Sequence, residues 1–212
     1  IAGILLSFAS TDDTPHPATA LMAHQQCHEE KDICADYRLT GIFTAGFQAE
    51  DITHMPVEMI GWIAPRVASE LVDASGPPFD ADIIAQTARI HEEGDFDRVL
   101  IGYFSDAPDG FMVGAHAAAT TTKLGFLLAH RPGFVAPTVA ARKLATFDQL
   151  SKGRVAVHMI AGGSESDQAK DGDHTDHAGR YRRSSEYINL LKRTWTEPKP
   201  WDHEGEFYQV AR

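Results

Sequence analysis

The pattern of hydrophobic and polar positions predicts alternating strands and helices from about residue 57 onward. Residues 124–130 are too continuously apolar for a half-exposed strand, so we expect both faces of this strand to be covered, as in a parallel sheet flanked by helices. Pro137 predicts a helix start, because its fixed φ and missing N–H suit the first helical position. Gly153 predicts the helix end, and residues 154–160 follow as a second strand.

The same alternation extends to both sides of this βαβ unit. An apolar stripe on the helix after Pro137 consists of Val139, Ala140, Leu144, Phe147 and Leu150. Upstream, the pattern predicts strands over 57–63 and 98–103 and helices over 81–93 and 109–120, with Asp80 as N-cap and Ile83, Ile84, Thr87 and Ile90 near one face of the first helix. Downstream it predicts a polar loop over 164–176, a helix whose stripe is Tyr181, Ser184, Ile188, Leu191 and Trp195 and which stops at Pro198 and Pro200, and a final hairpin.

Four strand-helix units of this kind predict an α/β fold of the TIM (β/α)8-barrel type. The first strand is not followed by G-x-G-x-x-G, and the chain contains no Walker-type loop, so the usual nucleotide devices of open sheets are missing. A complete barrel needs eight units in about 250 residues. We therefore expect residues 55–212 to be the N-terminal half of a barrel, preceded by an extension of unknown structure over 1–54.

Composition narrows the class of protein. The chain has 212 residues, 43% of them hydrophobic, two cysteines and a net charge of −11. That charge argues against a nucleic-acid or anionic-membrane partner, and no run reaches the roughly 18 apolar residues of a membrane helix. A cytoplasmic protein that binds small molecules is expected. The extension is acidic, and the composition of the chain changes near Met55, where translation could begin. Whether four further strand-helix units follow Arg212 is left open by the sequence.

The extension carries one pattern that resembles a metal site. His24, Cys27, His28 and Cys34 are nitrogen and sulfur ligands at short spacing. Their spacing matches no standard zinc finger or knuckle, so we interpret them as scattered surface residues and predict no metal. Residues 1–9 are compatible with a short strand or helix, and residues 18–37 with a polar helix.

Three segments of the second half resemble the bacterial luciferase-like flavin-dependent monooxygenases, in particular the alkanesulfonate monooxygenase group. They read HRPGFVAPTVAARKLATFDQLSKGR, RVAVHMIAGGSESDQ and DGDHTDHAGRYRRSSEY. The resemblance implies a barrel enzyme that uses reduced FMN (FMNH2) to activate O2 and oxygenate a small organic substrate, with sulfonates among the candidates. It also implies a separate NAD(P)H-dependent flavin reductase as partner, and we expect a homo-oligomer.

The resemblance suggests four cofactor-binding residues. His158 stands where the family often has a flavin-contacting Asn, and a structural barrel histidine is the alternative. Arg180 and Tyr181 match a pair that contacts the flavin, plausibly at its phosphate. Guanidinium pairs well with phosphate and a helix start favours an anion, whereas a solvated charge run is the alternative. Tyr103 occupies a position at which relatives touch the isoalloxazine, or it caps the core.

For the catalytic step, the sequence indicates fewer residues than for cofactor binding. His130 is a weak catalytic candidate for contact with substrate or peroxyflavin, and stabilising the turn at Arg131-Pro132 is equally compatible. The acidic loop with Glu165 and Asp167 could close over the site, although such loops are more often solvated. Ala107 stands where the alkanesulfonate enzymes carry a cysteine, which argues against a sulfonate substrate.

Two alternatives remain open from the sequence. One is a deazaflavin-dependent reductase of the same superfamily, which transfers hydride. The other is a non-catalytic half-barrel that self-associates, because half a barrel leaves two unpaired sheet edges. Because we interpret the chain as part of a larger barrel, we expect these 212 residues alone to bind FMN weakly and to show no turnover.

Overall fold

A five-stranded sheet forms the centre of the molecule. The computed structural model describes residues 3–7, 57–67, 71, 73 and 75–211, the first segment as backbone. The strands are β1 (Gly3–Ser7), β2 (Ile60–Ile63), β3 (Arg98–Ile101), β4 (Gly125–His130) and β5 (Val155–Ile160). Their order is β1-β5-β4-β3-β2, in which β2 to β5 run parallel and β1 runs antiparallel to β5. The four predicted parallel strands are thus confirmed, with slightly shorter bounds.

Helices follow the parallel strands as predicted. They are α1 (Ala81–Glu93), α2 (Gly110–Ala119), α3 (Pro137–Ser151), α4 (Glu165–Lys170) and α5 (His177–Thr196), and β6 (His203–Glu204) pairs with β7 (Gln209–Val210) in the predicted hairpin. Helix α4 corrects one prediction, because residues 164–176 were expected to be a loop throughout. The Ser164 hydroxyl accepts a hydrogen bond from the Asp167 N–H and starts this short helix.

The helix ends agree with their sequence signals. The Asp80 carboxylate accepts hydrogen bonds from the N–H groups of Asp82 and Ile83, which confirms it as the N-cap of α1. Pro137 is the first residue of α3. At the other end of α3, Lys152 already has a φ of 60°, and Gly153 follows with a φ of 82°. The left-handed turn therefore begins one residue before the predicted glycine.

Strand β4 is buried on both faces, as its sequence predicts. Phe126 and Leu128 belong to the main hydrophobic core with the helices, together with Val157 of β5. Leu127 and Ala129 point to the opposite side of the sheet and are only 7% exposed. The core therefore lies between the parallel strands and the helices. The opposite face of the sheet is covered at β4, whereas Trp62 of the edge strand β2 lies on that face and is 45% exposed.

Three residues of the predicted helical stripes lie outside the core. Ile90 is 57% exposed, Leu150 is 74% exposed and Val139 is 38% exposed. The stripe residues Ile84, Leu144 and Phe147 are buried as predicted. Smaller residues are buried beside them, namely Ala85, Ala88, Ala140, Ala141 and Ser151.

The N-terminal end of the sheet is held by a carboxylate. Glu92 of α1 accepts hydrogen bonds from the N–H groups of Thr122, Lys123 and Leu124, at 2.8 to 3.1 Å. Burial by itself would raise the pKa of this carboxyl, but the hydrogen bonds outweigh it and lower the pKa to about 2. Glu92 thus fixes the chain where it enters β4, at the end of the sheet opposite to the residues considered below.

The sheet has two outer edges, as expected for part of a barrel. Strand β1 pairs with β5 along five residues, from Gly3 opposite Ile160 to Ser7 opposite Ala156. Residues 1–9 thus contain a strand, and β1 and β2 are the edge strands, since neither pairs with a second strand among the described residues. His24, Cys27, His28, Cys34 and the proposed helix over 18–37 lie outside the described residues.

Candidate functional site

Polar and aromatic residues gather where the parallel strands end. Tyr103 follows β3, Arg131 follows β4, and α4 with its exit loop follows β5. The carboxyl ends of parallel strands meet at one edge of a sheet, so these segments from distant parts of the chain become neighbours. We call this group of loops the rim.

Tyr103 is fixed on the rim by three neighbours. Its ring stacks at 15° on Phe134, with 6.2 Å between the centroids, and the Arg131 guanidinium carbon lies 4.5 Å from the Tyr103 centroid. Its hydroxyl donates to Asp171 Oδ2 at 3.4 Å. Burial, followed by the negative charge of Asp171, raises the pKa of Tyr103, so the phenol is neutral and remains a hydrogen-bond donor.

Arg131 connects three segments of the rim. The residue is 4% exposed. Its Nη1 donates to Ser105 Oγ at 3.1 Å, and its Nη2 donates to Asp167 Oδ2 of α4 at 2.7 Å. Nη1 also lies 3.9 Å from Asp171 Oδ2. The predicted acidic loop is therefore only partly solvated, because Asp167 is paired with Arg131 whereas Glu165 is exposed.

A cleft of about 490 Å³ opens beside this network. Its walls are the turn after β4 and the segment between α4 and α5, and it is lined by Gly133, Phe134, Asp171, Gly172, Asp173, His174, Thr175 and Arg183. Asp173 and Arg183 form a tight ion pair inside it. Burial opposes ionisation of Asp173, but hydrogen bonds from Arg183 and Thr175 outweigh it and hold its pKa well below the usual range.

Arg180 is buried below this segment. The residue is 3% exposed, and its Nη1 donates to the carbonyl oxygen of Thr175 at 2.7 Å. Its Nε is buried and has no hydrogen-bond partner among the described residues. The guanidinium therefore retains unused capacity to donate to an anion.

The start of α5 offers less to an anion than the sequence suggested. Asp176 caps the helix, and its Oδ1 accepts a hydrogen bond from the Gly179 N–H at 2.8 Å. A carboxylate already occupies part of the positive helix end, which weakens the argument from the free N–H groups. The case for Arg180 thus rests on its own side chain.

The other two predicted cofactor residues lie apart from this network. His158 shares a face of β5 with Ala156 and Ile160, opposite to the helices, and burial lowers the pKa of its ring, which favours the neutral form. Tyr181 is half-buried on α5, with 4.8 Å between its ring centroid and that of His177. Tyr103 and Arg180, by contrast, both contact residues that line the cleft, namely Asp171 and Thr175.

His130 points away from the rim. Its ring is 2% exposed, packs edge-on against Phe111 of α2, and shares a 2.7 Å hydrogen bond with the hydroxyl of Tyr187 on α5. Burial, followed by the positive charge of Lys143, lowers the pKa of His130 to about 4. This surrounding favours a packing role over the catalytic one considered from the sequence.

Sequence reasoning missed several residues of the site. Arg131 was weighed only as part of a turn, and the pairing of Asp173 with Arg183 was not foreseen. One signal was available for Arg131, because an arginine directly after a fully apolar strand of a parallel sheet must lie at the carboxyl edge. The partners of Asp173 and Tyr187 come from segments 10 and 57 residues away, for which the sequence has no local signal.

Residues 57–212 of the chain match the family of luciferase-like monooxygenases. The chain belongs to this family. The match confirms the resemblance inferred from the sequence motifs, and it covers all four parallel strands. In the described part of this luciferase-like chain, no helix has the length and apolar character needed to cross a membrane.

Several solved structures share the fold of this chain. The EDTA monooxygenase from Chelativorans sp. BNC1 superposes with a TM-score of 0.62 at 18% identity, covering 73% of this chain and 44% of that chain. The oxygenating constituent of 3,6-diketocamphane monooxygenase from Pseudomonas putida, in complex with FMN, gives 0.60 at 18% identity, with 72% and 43% covered. A coenzyme F420-dependent secondary alcohol dehydrogenase gives 0.58 at 19% identity, with 73% and 47% covered.

These likenesses establish the fold class. The relatives are TIM-barrel proteins of the luciferase-like type, so the four parallel strands and their helices represent part of such a barrel. The chain spans less than half the length of these structures, at 43% to 47%. The relatives include an FMN complex and a coenzyme F420 enzyme, so the fold is shared by enzymes of different cofactors.

Proposed function

We propose that this luciferase-like chain is the N-terminal part of an FMNH2-dependent monooxygenase that uses O2 to oxygenate a small organic substrate. A separate NAD(P)H-dependent flavin reductase would deliver the reduced flavin, and the enzyme would work as a homo-oligomer. When bound, reduced flavin supplies the electrons for activating oxygen, and the protein supplies binding and orientation.

The observation that carries this proposal is the buried, incompletely bonded guanidinium of Arg180. A buried cation is usually paired with a carboxylate, because an uncompensated charge is costly in the interior. Arg180 instead donates to the Thr175 carbonyl, and its Nε has no partner among residues 75–211. A flavin phosphate would supply the missing charge and acceptors, so the donor set fits FMN.

The remaining predicted residues would hold other parts of the cofactor. Tyr103 offers an aromatic ring and a neutral phenol on the rim. His158 offers a ring that can donate and accept hydrogen bonds in its neutral form, from the face of β5 that is turned away from the helices. Tyr181, the residue after Arg180 on α5, would contact the flavin beside it.

Ala107 bears on the substrate more than the charges of the rim do. The rim carries Asp106, Asp167, Asp171 and Asp173, but Lys170, Arg131 and Arg183 offset most of their charge. These charges therefore do not separate an anionic from a neutral substrate. Ala107, in place of the cysteine of the alkanesulfonate enzymes, argues against a sulfonate.

A deazaflavin-dependent reductase that transfers hydride is the second candidate. The coenzyme F420-dependent alcohol dehydrogenase matches this chain about as well as the FMN complex does, with TM-scores of 0.58 and 0.60. Arg180 does not separate the two cofactors, because a phosphate-binding arginine would serve either.

The test is a set of binding titrations on the 212-residue chain, in which binding is measured by flavin fluorescence and by calorimetry. The ligands are FMN, riboflavin and coenzyme F420. Exchange of Arg180 for Lys or Met should weaken FMN binding by roughly tenfold or more while leaving riboflavin, which lacks the phosphate, almost unchanged. Arg182→Met is the matched control, because Arg182 is exposed on the same helix and pairs with Glu206.

Three outcomes would count against the proposal. Equal binding of FMN and riboflavin would remove the phosphate role of Arg180, and tighter binding of coenzyme F420 would favour the reductase. We expect the chain alone to bind FMN weakly without turnover, so tight one-to-one binding with oxygenase activity would contradict its interpretation as part of a larger barrel.

A further inference from the structure

Arg131 has contacts that the proposed cofactor-binding residues do not account for. Its side chain is 5% exposed and reaches Ser105 in the loop after β3 and Asp167 in α4, while its backbone ends β4. One buried guanidinium therefore joins three rim segments. The planar fork of arginine can donate in two directions at once, which lysine cannot reproduce.

Helix α4 depends on such external contacts. It has six residues, and a helix of that length is not stable by itself in water. Two ion pairs attach it to the loop after β3 and to β4, namely Lys170 with Asp106 at 2.9 Å and Asp167 with Arg131 at 2.7 Å. The side chains of Lys170 and Asp106 are 50% and 71% exposed, so their pair contributes little. The buried Arg131 pair is the stronger of the two attachments.

The same guanidinium lies against the aromatic rings of the rim. Its central carbon is 4.5 Å from the Tyr103 centroid and 5.8 Å from the Phe134 centroid. Asp171, just beyond α4, accepts the hydrogen bond from the Tyr103 hydroxyl. Both ends of Tyr103 are thus controlled by Arg131, the ring directly and the hydroxyl through the segment that Arg131 holds.

We propose that Arg131 is a positioning residue that attaches α4 to the rim and sets the orientation of the Tyr103 ring. It rests on the proposed function only in that Tyr103 is there assigned to flavin binding. Arg131 itself need not touch the cofactor.

The first experiment measures hydrogen exchange of the backbone amides of residues 165–173 in the 212-residue chain. The variants are Arg131→Gln, Asp167→Asn and their combination. Each single substitution should accelerate amide hydrogen exchange by roughly tenfold or more, because the remaining member of the pair stays buried without a charged partner. The double variant should add little to either single one, since both remove the same pair. Arg182→Gln, which breaks an exposed ion pair, should change nothing in this segment.

The second experiment separates positioning from general loosening of α4. The chain is labelled with 3-fluorotyrosine, and the Tyr103 resonance is assigned through Tyr103→Phe. Arg131→Gln should shift this fluorine resonance. Ser164→Ala removes the cap of α4 without touching Arg131, so it should accelerate amide exchange and shift the Tyr103 resonance less than Arg131→Gln does, because the guanidinium still lies against the ring.

Several results would overturn the inference. Unchanged exchange in Asp167→Asn, additive effects in the double variant, or an equal shift of the Tyr103 resonance in Ser164→Ala would each do so. If Arg131→Gln proves poorly folded, Asp167→Asn decides the first experiment. Asp167→Asn frees the same guanidinium, so it should also shift the Tyr103 resonance in the second experiment. Failure of the wild-type chain to bind FMN would count against the proposed function alone, because neither readout requires flavin.

Discussion

His130 and Arg131 are adjacent in sequence, but their side chains serve different parts of the molecule. The His130 ring lies among Phe111, Tyr187 and the helices, whereas Arg131 reaches the loops of the rim. A strand turns successive side chains to opposite faces, so one residue step moves a group from the core to the site. This segment therefore places Arg131, rather than His130, among the loops of the rim.

The burial of His130 makes the stability of the chain depend on pH. Its pKa is about 4 in the folded chain, against about 6.5 for an unperturbed histidine. Between these values the unfolded chain binds a proton that the folded chain does not. The contribution of His130 to the free energy of unfolding should therefore fall by roughly 3 kcal/mol as the pH is lowered through this window, and should be constant below about pH 4.

Urea unfolding of the wild-type chain and of His130→Gln at several pH values between 4 and 7.5 tests this expectation. Glutamine can still bond to the Tyr187 hydroxyl but does not titrate, so the difference between the two proteins should shrink or reverse as the pH falls. His174→Gln is the control, because His174 is exposed. An identical pH dependence in wild type and His130→Gln would contradict the assignment.

At the scale of elements, close approach between α2 and its neighbours depends on Gly114. A Cβ atom at this position would lie 2.9 Å from Phe147 Cε1 of α3 and 3.1 Å from Ile101 Cδ1 of β3. Phe147 and Ile101 are both buried in the main core and have little room to move. The missing side chain thus sets the distance between two helices and a strand.

Gly114→Ala should destabilise the chain by about 1 to 3 kcal/mol, measured as the change in the free energy of unfolding in urea. The direction is informative, because alanine in a helix interior is normally about 0.5 to 1 kcal/mol more favourable than glycine. The combination with Phe147→Leu should recover part of the loss. Gly163→Ala, at a position with open space around the Cβ, should be almost neutral. A stabilised Gly114→Ala variant would show that the core can yield at this point.

At the scale of the whole molecule, the sheet has two edge strands, β1 and β2, each of which pairs with one other strand in the described part of the chain. Strand β2 carries Ile60 and Trp62, which are 39% and 45% exposed. Unpaired edges with exposed apolar side chains promote association, so β2 is the edge where we expect it.

We therefore expect concentration-dependent self-association of the 212-residue chain in sedimentation equilibrium. Ile60→Lys should weaken the association by roughly tenfold or more, because a charged residue on an edge strand opposes pairing with another copy. Leu150→Lys serves as the control on a distant exposed position of α3, which is 74% exposed in the wild type. Equal weakening by both variants would mean that the chains associate through some other surface.

Local signals in the sequence determined the elements from about residue 57 onward. Proline at the start of α3, aspartate at the start of α1 and the uninterrupted apolar run of β4 each act within a few residues, and each prediction agrees with the structure. The family motifs are also local, and they led to the luciferase-like assignment that residues 57–212 confirm. The sequence thus accounted for the class of fold and for the end of the sheet where a site should lie.

Tertiary structure decided which of the candidate residues share an environment. The pairing of Arg131 with Asp167 spans 36 residues, that of His130 with Tyr187 spans 57, and β1 pairs with β5 across more than 140 residues of chain. No periodicity encodes such pairings, because burial and charge compensation depend on which segments the fold brings together. For the same reason the helix α4, too short to be stable alone, became visible only with the partners that hold it.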